Sequence, residues 1–90
     1  MSSIIFTEED INIDEKYVDG IINIDTSKKC VRVRLCKVKN ISENGVIIRK
    51  SGQSRNNIIV YFEDRDDCIF IIDGHSTFRS TSEGWVIVRD

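Results

Sequence analysis

Ninety residues with a net charge of −2, 31% of them charged and 40% apolar, make one domain's worth of chain with nothing left over for a second core. No run approaches the ~20 consecutive apolar residues of a membrane-spanning helix, and residues 1–6 lack the basic flank and apolar length of a signal peptide. Sixteen Ile and eight Val stand against one Leu (Leu35) and no Ala, which argues against a helical domain: β-branched side chains lose χ1 freedom in helices and pack well on pleated surfaces.

In chain order, the first twenty residues admit two readings. Thr7 followed by Glu8, Glu9 and Asp10, with Phe6 and Ile11 placed as a hydrophobic staple, is a start signal for a short helix. Ile11-Asn12-Ile13 and the lack of a helical apolar period favour extended chain, and a strand is expected over 15–18. Asp19-Gly20, Asn44-Gly45 and Asp73-Gly74 each separate apolar runs and predict β-hairpin turns, because those residues tolerate positive φ. Further turns at 26–28, 51–57, 64–67 and 80–84 leave strands near 21–25, 29–41, 46–50, 57–63, 68–72, 75–79 and 85–89.

The long segment 29–41 changes phase. Val31, Val33 and Leu35 take odd positions and Cys36 and Val38 even ones, so a bulge or sharp bend is expected near Leu35-Cys36. Successive short connections predict strands that pair with their sequence neighbours. The expected fold is a single all-β domain over residues 1–90. It would be an antiparallel meander of seven or eight short strands, closed as a small barrel or folded as a two-sheet sandwich, with a short N-terminal helix left open.

Charge is unevenly spread. Residues 1–27 carry seven acids and one Lys, residues 28–55 nine bases and one acid, and residues 56–90 seven acids and three Arg. Opposite charges paired between neighbouring strands account for such a pattern; so does an anion-binding ribbon. The candidate anion-binding residues are Arg32, Arg34, Lys37, Lys39, Arg49, Lys50 and Arg55, expected on two paired strands and the loop that follows. Tyr61 or Phe62 could stack on bases beside them. A nucleotide or nucleic acid is therefore the alternative ligand, although such domains usually carry a net basic balance.

Catalytic and metal signatures are weak. His75 is the single histidine and has no nucleophile motif beside it. Cys30, Cys36, Cys68 and His75 match a zinc site in number but not in the paired spacing such sites use. Glu63, Asp64, Asp66 and Asp67 lack the alternating ligands and central Gly of a calcium loop and read as a solvated hairpin turn. Cys30 and Cys36 share a predicted strand, too far apart for a disulfide, so reduced thiols in a cytoplasm are expected. No cofactor, metal or enzymatic activity is expected.

The segment Asn40-Ile41-Ser42-Glu43-Asn44-Gly45 is similar to the Asn/Asp-x-Ser-x-x-Gly motif of PilZ domains, β-barrels that bind cyclic di-GMP. The resemblance implies a dinucleotide ligand, but it spans six residues. The upstream Arg-x-x-x-Arg motif of that family is not matched, since Lys28 and Arg32 lie too close to Asn40 and begin with Lys.

Several strands are apolar on both faces, notably 46–48, 58–62, 69–72 and 86–88. A sheet with one solvated face should alternate, so the surplus must be covered by the segment around Ile4, Ile5 and Phe6, by a second copy, or by a partner. Ile59, Tyr61, Ile69 and Ile71 are the candidate interaction surface. The function expected is a small non-catalytic protein-interaction module, such as an inhibitor, immunity-type or adaptor protein, docking through an apolar sheet face or an edge strand. It could equally pair with itself as a homo-oligomer. The composition suits an AT-rich phage or bacterial genome.

Overall fold

The computed structural model describes residues 4–17, 19–38 and 45–88. Among these residues nine strands run β1 (Ile4–Thr7), β2 (Ile11–Ile13), β3 (Ile21–Asp25), β4 (Val31–Leu35), β5 (Val46–Ser51), β6 (Ile58–Phe62), β7 (Cys68–Ile71), β8 (His75–Thr81) and β9 (Gly84–Val88), with a 3₁₀ turn at Glu15–Tyr17. They form two mixed sheets, sheet A in the order β1-β3-β5-β8-β9 and sheet B in the order β2-β4-β6-β7.

The all-β class holds, but the antiparallel meander does not. From β1 to β6 the chain alternates between the sheets, and each strand pairs in parallel with the strand after next: β1 with β3, β3 with β5, β2 with β4, β4 with β6. This is the winding of a short parallel β-helix. Antiparallel pairing is confined to β5–β8, β6–β7 and β8–β9. Neither sheet closes on itself, because β1 and β9 remain edges of one and β2 and β7 edges of the other; the barrel expectation is therefore corrected.

The register shows why the windings stack. Ile4, Ile21 and Ile47 are Cα partners on the outer face of sheet A, and Ile5, Ile22 and Ile48 are partners one position on, facing inward. Parallel strands in register place like on like, so the repeated Ile-Ile pair builds one ladder on each face. In sheet B the inward ladders are Ile11–Val33–Val60–Ile69 and Ile13–Leu35–Phe62, with Val31–Ile58–Ile71 beside them. The inward residues of both sheets make one core, in which Ile22, Ile48, Val33, Val60, Ile58 and Phe78 are wholly buried. Each such side chain contributes about 1.5–3 kcal/mol relative to exposure.

The hairpin expectations fare unevenly. Asp19-Gly20 and Asp73-Gly74 do reach positive φ, at Asp19 (69°) and Gly74 (72°). They nevertheless join strands of different sheets, so neither is a β-hairpin. Asn44 lies outside the described residues. The true hairpins are β6–β7 and β8–β9, over the turns expected at 64–67 and 80–84. The helix at the N-terminus is replaced by β1 and β2, with Thr7 Oγ1 accepting from Glu9 N (3.0 Å) in the tight turn between them. The strand expected over 15–18 is the 3₁₀ turn, with Val18 outside the described residues.

Where a bulge or sharp bend is expected near Leu35-Cys36, β4 ends at Leu35. Cys36 N donates the last ladder bond to Ile13 O (2.9 Å), and the Cys36 carbonyl is then taken by Trp85 Nε1 of sheet A (2.8 Å). Over residues 36–38 the chain is no longer a strand, and the alternation has no sheet left to follow.

Part of the charge pattern follows from the winding as well. Lys28 and Lys29, in the turn between β3 and β4, reach Glu8 (3.0 Å) and Glu9 (3.1 Å) in the turn of the winding before. The start of the basic stretch lies against the acidic one because consecutive turns stack.

Candidate protein-interaction face

The outward positions of β4 and β6 follow from strict alternation. Val31, Val33 and Leu35 point in and are buried, so Arg32 and Arg34 point out and are exposed; Ile58, Val60 and Phe62 point in, so Ile59 and Tyr61 point out. The register then sets two rows across the outer face of sheet B. One runs Asn12–Arg34–Tyr61–Cys68, the other Arg32–Ile59–Phe70. Tyr61 is 37% exposed and Phe70 55%, and Ile72, just past β7, is 68% exposed. Between β2, β4 and β6 the face dips into an open depression of about 410 Å³, bounded by Asp10, Asn12, Arg32, Arg34 and Tyr61.

Two of the four expected interaction residues lie on this face, Ile59 half-buried and Tyr61 exposed. Ile69 and Ile71 do not. β7 pairs antiparallel with β6 so that Ile59 faces Phe70, which turns the odd positions of β7 inward; Ile69 packs against the core and Ile71 is only 3% exposed. Phe70 takes their place. Nothing in Cys68-Ile69-Phe70-Ile71 marks the parity, because all four positions are apolar or weakly polar.

The basic ribbon is dispersed. β4 and β5 belong to different sheets, so they are not paired as expected. Arg32 and Arg34 stay together on sheet B. Arg49 lies on the outer face of sheet A opposite His75, and Arg55 is exposed in the loop before β6. Lys37 lies beyond the end of β4, exposed, its backbone N–H donating to a Glu63 carboxylate oxygen. Lys39 is outside the described residues. Lys50 is no anion ligand: it is 8% exposed, and its Nζ donates to the carbonyl oxygens of Ser54 (2.7 Å) and Ile72 (2.9 Å). It sits inward because β5 pairs Ile24 with Lys50 on the core side.

Arg32 and Arg34 of sheet B pair with no carboxylate among the described residues. Among the described residues the ion pairs are Lys28–Glu8, Lys29–Glu9, Lys29–Asp10 and Arg65–Asp67. Asp10, the nearest acid in sequence register, spends Oδ1 on the backbone N–H of Arg32 (2.9 Å). The guanidinium groups of Arg32 and Arg34 are left to solvent beside an apolar and aromatic row.

The other sequence candidates do not converge. His75 is exposed on the outer face of sheet A, whereas Cys68 lies on the outer face of sheet B. All three cysteines are free, Cys30 exposed and the other two half-buried. Burial, then the negative charge of Glu63, pushes the Cys36 thiol above its ordinary pKa. Among the described residues no group of three or more His, Cys, Asp or Glu is placed to hold a metal ion, and no helix is long and apolar enough to cross a membrane. The acidic segment 63–67 is the β6–β7 turn, with Arg65 stacked 3.8 Å from the Phe62 ring centroid and paired to Asp67 (3.6 Å).

No family model matches the chain, and searches of curated proteins and of solved structures likewise return no match. The segment similar to the PilZ motif lies outside the described residues except for Gly45.

Proposed function

We propose that the protein is a small non-catalytic interaction module that docks another protein on the outer face of sheet B. The observation that carries this reading is the combination of exposed Tyr61 and Phe70 on one face with Arg32 and Arg34, which pair with no carboxylate among the described residues. Aromatic residues and Arg are the types enriched at interface centres and at their energetic hot spots. Clustered exposed apolar side chains on a soluble domain mark interaction sites. Free thiols fit a reducing cytoplasm as the setting.

The test is site-specific photo-cross-linking in cells that express the protein. A photoreactive phenylalanine analogue at position 61 or 70 should give a discrete protein adduct, and the same analogue at position 79, on the outer face of sheet A, should not. Adducts from position 79 alone, or from none of the three, would end this reading.

A second reading rests on the depression beside Arg32, Arg34 and Tyr61, which offers a phosphate-sized anion two guanidinium groups and a ring. Nucleotide binding there should disappear on charge reversal at Arg32 and Arg34 and weaken steeply with added salt. Unchanged affinity in the reversed variant rules it out.

A further inference from the structure

We infer that the partner seated on sheet B is an acidic protein segment in extended form, whose alternate carboxylates lie over Arg32 and Arg34. This inference rests on the interaction face proposed above and adds the chemistry of its occupant. Arg32 and Arg34 are two residues apart on β4 with both side chains outward, so their Cα atoms are about 6.7 Å apart. An extended segment laid along the strand repeats its same-side residues at that spacing, so acids at positions i and i+2 meet one guanidinium each. Guanidinium–carboxylate pairs form two parallel bonds and fix register as well as attraction. Among the described residues no carboxylate pairs with these groups, and the neighbouring positions on β6 and β7 are the uncharged Ile59 and Phe70.

Single-stranded nucleic acid fits the same face less well. It needs a basic track along its backbone, and among the described residues the strands of sheet B carry two cations, Arg32 and Arg34. Arg49 and Arg79 point from the outer face of sheet A, since they share the outward parity of its strands. Lys28 and Lys29 are engaged with Glu8 and Glu9.

The experiment is a titration of the ¹⁵N-labelled full chain with a capped octapeptide alternating glutamate and valine, followed by amide shifts. Its partners are the same peptide with glutamine for glutamate, and a dodecamer of deoxythymidine. The acidic peptide should move amides of β4, β6 and β7, bind at least about fivefold more tightly than the glutamine peptide, and lose that preference in Arg32→Ala/Arg34→Ala. Arg49→Ala should leave it unchanged, and circular dichroism should show both variants folded. Equal binding of the two peptides on this face removes the acidic partner and leaves the interaction face standing. Tighter binding of the deoxythymidine dodecamer to the same strands overturns the inference in favour of nucleic acid. No shift in β4, β6 or β7 at millimolar acidic peptide also overturns it, while the cross-linking above still decides whether the face binds protein.

Discussion

Lys50 joins two connections that are distant in sequence: its Nζ lies 2.9 Å from the Ile72 carbonyl oxygen and 2.7 Å from that of Ser54. It ties the loop before β6 to the chain passing from sheet B back to sheet A. Its own backbone N–H donates to Gly74 O (2.9 Å) in the same crossing. Hydrogen bonds from a charged donor contribute about 1.5–3 kcal/mol net. Lys50→Met keeps the apolar stem and removes the donors, so a loss of about 2–3 kcal/mol is expected in urea unfolding. Arg49→Met, outward on the neighbouring position, should stay within about 0.5 kcal/mol. Equal stability of the two variants would show that the Lys50 contacts contribute nothing.

Gly45 sits where a side chain has no room. A Cβ there would collide with the Phe78 carbonyl oxygen on β8, backbone that cannot swing aside. Gly45→Ala should cost about 1–3 kcal/mol or more, the range for forced overpacking. Gly52 has open space but a φ of +73°, so Gly52→Ala should cost about 1–2 kcal/mol through backbone strain alone. Thermal melts of the two variants give the order directly.

The parity of β7 can be checked by stability and binding together. Ile71→Ala removes an inward side chain and should cost about 2–5 kcal/mol. Phe70→Ala should change stability far less and abolish the cross-linked adduct obtained from position 61. The reverse pattern would mean that β7 is turned over.

Thiol chemistry should separate the cysteines. Cys30 is exposed, whereas Cys36 is half-buried with its thiolate disfavoured by burial and by Glu63. Because the thiolate is the reactive form, alkylation at pH 8 followed by peptide mass spectrometry should show Cys30 modified well before Cys36. Equal rates would contradict the burial of Cys36.

Stability should fall at both pH extremes through different turns. The Lys28 and Lys29 ammonium groups are held above the ordinary lysine pKa, first by their hydrogen bonds to Glu8 and Glu9. A group raised in the folded state contributes fully below its unfolded pKa of about 10.4 and loses that contribution as pH rises through the folded value. Asp25 is held below the ordinary carboxylate range, first by the Ser27 backbone N–H. Its contribution is present above an unfolded pKa of about 3.9 and is lost as pH falls through the lower folded value. Chemical denaturation of Lys28→Gln/Lys29→Gln should show a shallower alkaline decline than the parent, and Asp25→Asn a shallower acid one. Each effect should be small, since these groups are at the surface.

What the sequence determined by itself was local. Ile and Val in place of Ala and Leu specify extended chain, and the alternation in Val31-Arg32-Val33-Arg34-Leu35 specifies which side of β4 is wet. Both properties belong to a residue and its nearest neighbours. Six of the nine strands among the described residues, β3 and β5–β9, lie close to their expected places, while β4 covers only Val31–Leu35 of the segment expected over 29–41. Asp19 and Gly74 likewise adopt the positive φ their residue types allow.

Only the tertiary structure decided which strands pair. A period of two is the same whether a strand's neighbour is the next in sequence or the one after, and whether it runs parallel or antiparallel, so the winding between sheets leaves no trace in the alternation. The recurrence of Ile4-Ile5, Ile21-Ile22 and Ile47-Ile48 is its one sequence signal, and unequal loops obscure the repeat. Where a strand is apolar on both sides, as in β7, alternation is silent and register alone placed Phe70 outside and Ile71 inside. The same pairing carried Lys50 inward and Arg49 outward on a different sheet from Arg32 and Arg34. The basic ribbon was thereby dispersed, and those two arginines were left beside the exposed aromatic row.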